Sequence, residues 1–170
     1  MTDAITVHEE GQELTFTFAD LARYHGFGFP GGVAHSFKVM QRAMPLLDAG
    51  RPVERREVSI RTPFKGPGAR DGFEMVTRAT SEGRYTIDDS LLALERGEFL
   101  KGYVFVLTYR GKSLQLTIRE GIVREEFILL GRKPNRTSAE NQQLVTLKAD
   151  MADRLLVLRS AEAYDVRELS

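Results

Sequence analysis

The 170-residue chain contains no cysteine and no tryptophan, and only three histidines and six prolines. Without cysteine there is neither a disulfide nor a thiolate-held zinc or iron–sulfur centre within the chain. The histidines, His8, His25 and His35, are scattered without a metal-ligand spacing, so no metal is expected from them. Charge of one sign is also missing: 24 Lys and Arg balance 24 Asp and Glu. A neutral chain argues against nucleic acid as a partner, since neutralising phosphates requires a basic excess. The densest basic stretch, Arg51, Arg55, Arg56 and Arg61, reads as solvated surface. No apolar run approaches the roughly 18 residues that span a bilayer, and Met1-Thr2-Asp3-Ala4 lacks the basic and apolar regions of a signal peptide. The expectation is a cytoplasmic protein without a membrane partner. Neither a Gly-x-Ser-x-Gly elbow nor a phosphate loop closed by Gly-Lys-Ser/Thr is present.

What the chain does have is an ordinary globular composition, 42% hydrophobic and 28% charged. It is long enough for one domain with its own core. Residues 4–8 and 13–18 are β-prone runs around the turn Glu9–Gln12. A short helix is predicted over Ala19–Tyr24, capped by Thr17, with Leu21 and Tyr24 inward. Pro30 opens a longer helix whose apolar stripe is Val33, Phe37, Met40, Met44 and Leu47, with Pro45 kinking it or removing its last turn. Residues 53–62 alternate as a strand with one wet face. A helix over 71–80 turns Phe73 and Val76 inward, and Arg84–Ile87 is a brief strand. Asp88–Glu98 reads as a helical turn or capped loop. Gly102–Tyr109 and Lys112–Arg119 form a hairpin about Arg110-Gly111. Thr137 or Ser138 caps a last helix that reaches about Leu158, with Leu144, Leu147, Met151, Leu155 and Leu158 on one stripe. No repeat or linker divides the chain, which is therefore read as one α+β domain.

Two glycine-rich stretches precede predicted helices. The first is His25-Gly26-Phe27-Gly28-Phe29-Pro30-Gly31-Gly32, the second Lys65-Gly66-Pro67-Gly68-Ala69-Arg70-Asp71-Gly72. Helix starts offer unpaired N–H donors and a positive dipole end, and Lys and Arg beside them suit a carboxylate or phosphate. The two starts are expected to face a common cavity. His25 and Asp71 are its candidate acid–base pair; Lys65, Arg70, Gly28 and Gly68 would hold an anion, and Phe27 and Phe29 would form an apolar wall. The alternative for His25 is a loop-fixing structural role, for Asp71 a helix cap, and for both phenylalanines plain core filling. Arg78 could pair with Asp71 or Glu74. His35, off the apolar stripe, is expected at the surface or rim.

The segment Phe18-Ala-Asp-Leu-Ala-Arg-Tyr-His25-Gly26-Phe-Gly-Phe-Pro30-Gly31, with its following helix, resembles the formylmethanofuran dehydrogenase E-subunit-like family, whose motif there is His-Gly-His-x-Cys-Pro-Gly. Gly68-Ala-Arg-Asp71, continuing to Gly83, is similar to that family's Cys-x-x-Asp-Ala-helix-Gly segment. The resemblance spans residues 14–125 and implies an α+β core ordered helix, strand, helix and three strands. It further implies a mixed or antiparallel sheet with helices packed on it; a C-terminal helix covers about 138–158. The motif's first His is His25 and its Pro-Gly is Pro30-Gly31. Its second His is Phe27, its Cys is Phe29 and its later Cys is Gly68, so the metal shell implied by the resemblance is not carried, and no cofactor is expected.

The function read from these features is binding of a small polar or anionic metabolite without a metal, by a homodimer; the dimer follows from the family likeness and from spare apolar stripes. No reaction is assigned to the site. The alternatives are a non-catalytic accessory subunit in one-carbon or molybdopterin-linked metabolism, or an enzyme with a non-standard metal site.

Overall fold

A computed structural model describes residues 3–170. The chain opens with an antiparallel hairpin, β1 (Ala4–Glu9) and β2 (Gln12–Thr17). Its turn residues Glu10 and Gly11 both have positive φ, 51° and 81°. That conformation matches the twist of the flanking strands and favours glycine. Helix α1 (Phe18–His25) follows at once. Thr17 accepts from the Asp20 N–H while the Asp20 carboxylate accepts from the Thr17 N–H, a reciprocal cap that satisfies two otherwise orphaned donors. Of its two expected inward residues Leu21 is buried, but Tyr24 is 53% exposed.

Helix α2 (Pro30–Leu47) is the centre of the molecule. It packs on α1, on α3 (Pro67–Thr77), on α5 (Ser138–Leu156) and across the main sheet. Twelve of its eighteen residues are buried, far more than a one-sided stripe provides. This overturns the surface placement of His35, which is only 1% exposed. Pro45 sits in the last turn, and the helix ends two residues later at Leu47.

The main sheet has the order β4-β3-β5-β6-β7. β3 (Ser59–Thr62) runs parallel to β4 (Tyr85–Ile87), with α3 as the crossover between them. β5 (Val104–Tyr109) and β6 (Lys112–Ile118) form the expected hairpin, turning at Arg110 and Gly111 with φ of 47° and 84°. Tyr103, just before β5, with Phe105, Leu107 and Tyr109 on it and Leu114, Leu116 and Ile118 on β6, are buried in the core beneath α2. The fold is α+β, and its middle keeps the order helix, strand, helix, three strands.

Three differences from the sequence reading have physical causes. The strand expected over 53–62 exists only from Ser59, because Arg55–Glu57 forms a single tight turn that points Arg55 inward. Arg55 is 7% exposed rather than solvated. Its Nε and Nη2 donate to the carbonyls of Val76 and Met75 at 2.8 and 2.7 Å. Those bonds close the C-terminal end of α3, where carbonyls lack intrahelical partners. Helix α3 begins at Pro67, where a missing N–H costs nothing. It stops at Thr77 because Arg78 adopts a left-handed φ of 60°. Beyond α4 (Glu125–Arg132) and α5, the chain does not end on a helix. The short α6 (Ser160–Ala163) leads into β7 (Tyr164–Leu169), which pairs antiparallel with β6. Tyr164 and Val166 alternate with charged residues there, a weak period-2 signal in a run with a single β-branched residue. Thr137 caps α5 in reciprocal bonding with Glu140. Among the described residues no helix is long and apolar enough to cross a membrane.

Candidate functional site

The glycines of both stretches bring helices into contact. A Cβ added to Gly32 would lie 2.9 Å from the Ala69 N, and one on Gly68 would meet the carbonyl oxygen of Phe29 and stand 3.0 Å from the Val33 N. One turn further along, a Cβ on Gly72 would strike the Ser36 hydroxyl. Gly32-x-x-x-Ser36 on α2 thus faces Gly68-x-x-x-Gly72 on α3, and small residues at that spacing let the two backbones nearly touch. Backbone fills the space between the helix starts, where a cavity is expected from the sequence. Gly68 is a packing residue there and leaves no room for an anion.

His25 and Asp71 do come together. His25 Nδ1 lies 2.8 Å from Asp71 Oδ2, joining α1 to α3. The other ring nitrogen, Nε2, accepts the Phe29 N–H at 3.1 Å. The neutral ring therefore has its proton on Nδ1, and both nitrogens are engaged. Arg70 Nε is 3.5 Å from the second Asp71 oxygen, with its side chain half exposed. Asp71 sits in the second turn of α3 and does not cap it. Arg78 takes Glu74 as its partner, at 3.3 Å. Burial disfavours the Glu74 carboxylate, but bonds from Ser81, Thr80 and Arg78 outweigh it and hold its pKa below the usual range.

The aromatic pair of the first loop forms no wall. Phe27 stands wholly in solvent, and Phe29, 44% exposed, lies beneath the Lys148 ammonium of α5, 4.2 Å from its ring centre. At that distance the ammonium is attracted by the ring face. Lys148 also donates to the Gly28 carbonyl at 3.2 Å, clamping the loop to α5. His25, Asp71 and Arg70 are therefore contiguous, whereas Lys65 points elsewhere.

Lys65 and Gly66 line a cleft of about 750 Å³ at the end of the sheet, between the loop after β3, the segment before β5, and α4. Its walls carry Phe64, Phe99, Tyr103 and Phe127 with Leu92 and Ile128. Around them stand three cations, Lys65, Lys101 and Arg132, against two carboxylates, Asp89 and Glu98. Lys101 reaches Glu98 at 2.7 Å, but Lys65 is 3.4 Å from Asp89 and Arg132 3.8 Å from Glu98. The last two are loose pairs on exposed side chains, which hold each other weakly. The N-terminus of α3 opens onto this cleft through Gly66 and has no acidic residue in its first turn. Volume, aromatic lining and a few convergent polar groups are the attributes of small-molecule sites.

Behind the cleft lies a buried polar pair. His35 Nδ1 is 2.7 Å from the Tyr164 hydroxyl, and the His35 ring packs 4.8 Å from Tyr103 and 5.9 Å from Phe64, centre to centre. His35 Nε2 has no hydrogen-bond partner among the described residues. Burial pushes the His35 pKa down to about 3, so the imidazole is neutral, and pushes Tyr103 up to about 12, so its hydroxyl keeps its proton. Sequence patterning missed Tyr103, Lys101, Arg132 and His35 as one neighbourhood. They come from separate segments, and no local spacing links them.

No protein-family model matches the chain, and no curated protein matches it. The metal implied by the family resemblance does not fit the residues present. Positions 27, 29 and 68 offer no donor, and both nitrogens of His25 are engaged within the fold. Among the described residues no group of three or more His, Asp or Glu side chains is placed to hold a metal ion.

Proposed function

We propose that the protein binds a small organic anion with an apolar or aromatic body in the cleft formed by Phe64, Tyr103 and α4. The carrying observation is the joining of four aromatic side chains with a local excess of cationic groups in one cavity of about 750 Å³. Apolar rings supply non-directional affinity, while Lys65, Lys101 and Arg132 fix the anionic end and the protonated Tyr103 hydroxyl can donate to it. This reading keeps Lys65 and the anionic ligand of the sequence analysis and moves the site away from His25 and Arg70. Titration calorimetry with benzoate and with phenyl phosphate as probes tests it. The expected result is binding that weakens by about tenfold in Lys101→Ala and in Arg132→Ala and is unchanged in Arg70→Ala. Equal loss in Arg70→Ala, or no binding of either probe, overturns it.

The resemblance to the formylmethanofuran dehydrogenase E-subunit-like family is supported by the element order and by the meeting of the two positions, 29 and 68, that carry cysteine in the motif, whereas the second histidine position, Phe27, stands in solvent. A Cβ on Gly68 would lie 3.1 Å from the Phe29 Cβ. On this reading the metal centre of the motif has been replaced by direct backbone packing.

The accessory-subunit reading is favoured by one observation, Phe27 standing wholly exposed on a clamped loop. A docking role requires that Phe27→Ser leave thermal stability unchanged, since no packing is lost. A fall of several degrees places Phe27 in the fold's own packing and removes that support.

A further inference from the structure

β7 closes one end of the five-stranded sheet, and its outer edge is open. The Arg119 N–H donates to the Ala163 carbonyl at 2.9 Å. By the alternation of antiparallel ladders, Asp165, Arg167 and Leu169 therefore direct their backbone groups toward β6, and Val166 and Glu168 direct theirs outward. The Tyr164 N–H is taken by the Ser160 carbonyl, leaving its own carbonyl on the outer side. Among the described residues no backbone group pairs with the outward groups of Val166 and Glu168. The opposite edge, β4, is only three residues long.

An open six-residue edge is a template for another strand, and natural proteins guard such edges with charge. Here the charges alternate in sign along one face, Asp165 then Arg167, and the ordering selects a partner. An identical strand running antiparallel must bring outward-directed residues opposite one another. With appreciable overlap, that leaves registers centred on Asp165, Val166 or Arg167. The first sets two aspartates face to face and the last two arginines, and like charges directly opposite destabilise a pair. Centring on Val166 places Asp165 opposite Arg167 of the second copy, and Arg167 opposite its Asp165. Val166 meets Val166, and Tyr164 meets Glu168. Both charged side chains are accessible; that of Asp165 is 73% exposed and pairs loosely with Arg119, at 3.7 Å.

We infer that β7 is the homodimer edge of this protein: two copies pair antiparallel through Val166, continuing the sheet across a two-fold axis. The edge is independent of the cleft. It also gives the homodimer expected from the sequence a specific interface.

Sedimentation equilibrium of the full chain over a wide dilution series tests the inference, with circular dichroism confirming that each variant is folded. Wild type is expected to dimerise. Asp165→Arg and Arg167→Asp each place like charges opposite and should weaken the dimer by roughly tenfold or more, from two cross-strand pairs reversed at once. The double variant, Asp165→Arg with Arg167→Asp, restores opposite charges and should recover the dimer. An equimolar mixture of the two single variants should form a heterodimer more readily than either self-associates. A wild type that stays monomeric throughout, or a dimer indifferent to both reversals, overturns the inference. So does a double variant as weak as the singles, since that marks loss of something other than charge pairing.

Discussion

His25 Nδ1 and Asp71 Oδ2 lie 2.8 Å apart, and the same imidazole accepts the Phe29 N–H on its other nitrogen. One side chain thus ties α1 to α3 and fixes the loop that starts α2. That is a positioning role with both nitrogens spent. His25→Ala leaves the Asp71 carboxylate and the Phe29 N–H without their partner. A loss of about 1–3 kcal/mol is expected in urea denaturation, with affinity for benzoate at the cleft unchanged. Abolished binding with unchanged stability contradicts this role.

The close approach of α2 and α3 makes Gly68 intolerant of a side chain. Gly68→Ala drives a methyl group into the Phe29 carbonyl, and a backbone atom cannot rotate away. The expected cost is roughly 3 kcal/mol. Gly102→Ala serves as the comparison, because a Cβ there meets nothing within 4 Å. Equal stability of the two variants sinks the packing account.

Acid should destabilise the protein through His35. Its folded pKa is pushed to about 3 by burial, while in the unfolded chain it titrates near 6.5. Between those values the unfolded chain binds a proton that the folded one refuses. Stability is therefore full above about pH 6.5 and falls as the pH drops toward 3. By linkage, about 2 kcal/mol is lost on going from neutral pH to about 5. His35→Gln, which cannot ionise, should flatten that part of the profile in denaturant titrations at several pH values. A wild-type curve already flat over the same window removes His35 from the explanation.

Arg55 carries an inward guanidinium that satisfies two carbonyls at the end of α3. Arg55→Ala orphans both and should cost about 3 kcal/mol. Arg51→Ala, from the same basic stretch, removes only a 2.7 Å pair between Asp48 and a side chain 72% exposed. It should change stability by no more than about 0.5 kcal/mol. Thermal unfolding of both variants measures the contrast, and similar shifts refute the distinction between them.

Local signals carried the elements they govern. The Thr17–Asp20 and Thr137–Glu140 caps, the Gly11 and Gly111 turns and the β5–β6 alternation each depend on residues a few positions apart, and each is found where the pattern puts it. The stripe rule failed for His35 because α2 is covered on several sides, so no face of it is free. Glycine beside a helix start reads equally well as an anion cradle or as a helix contact. Only the position of the opposing backbone distinguishes them, as Gly68 and Phe29 show.

The amino-acid sequence by itself determined the α+β class, the caps and turns, the missing thiolate chemistry and the lack of donors at positions 27, 29 and 68. These are properties of composition or of neighbours along the chain. Tertiary structure alone decided that the two glycine stretches close on each other and that Arg55 and His35 face inward. It also decided that Lys65 joins Lys101 and Arg132 around an aromatic cleft, and that β7 ends the sheet with an open edge. Those depend on which distant segments packing brings together, and burial energy acts without direction, leaving no local pattern from which the partners can be read.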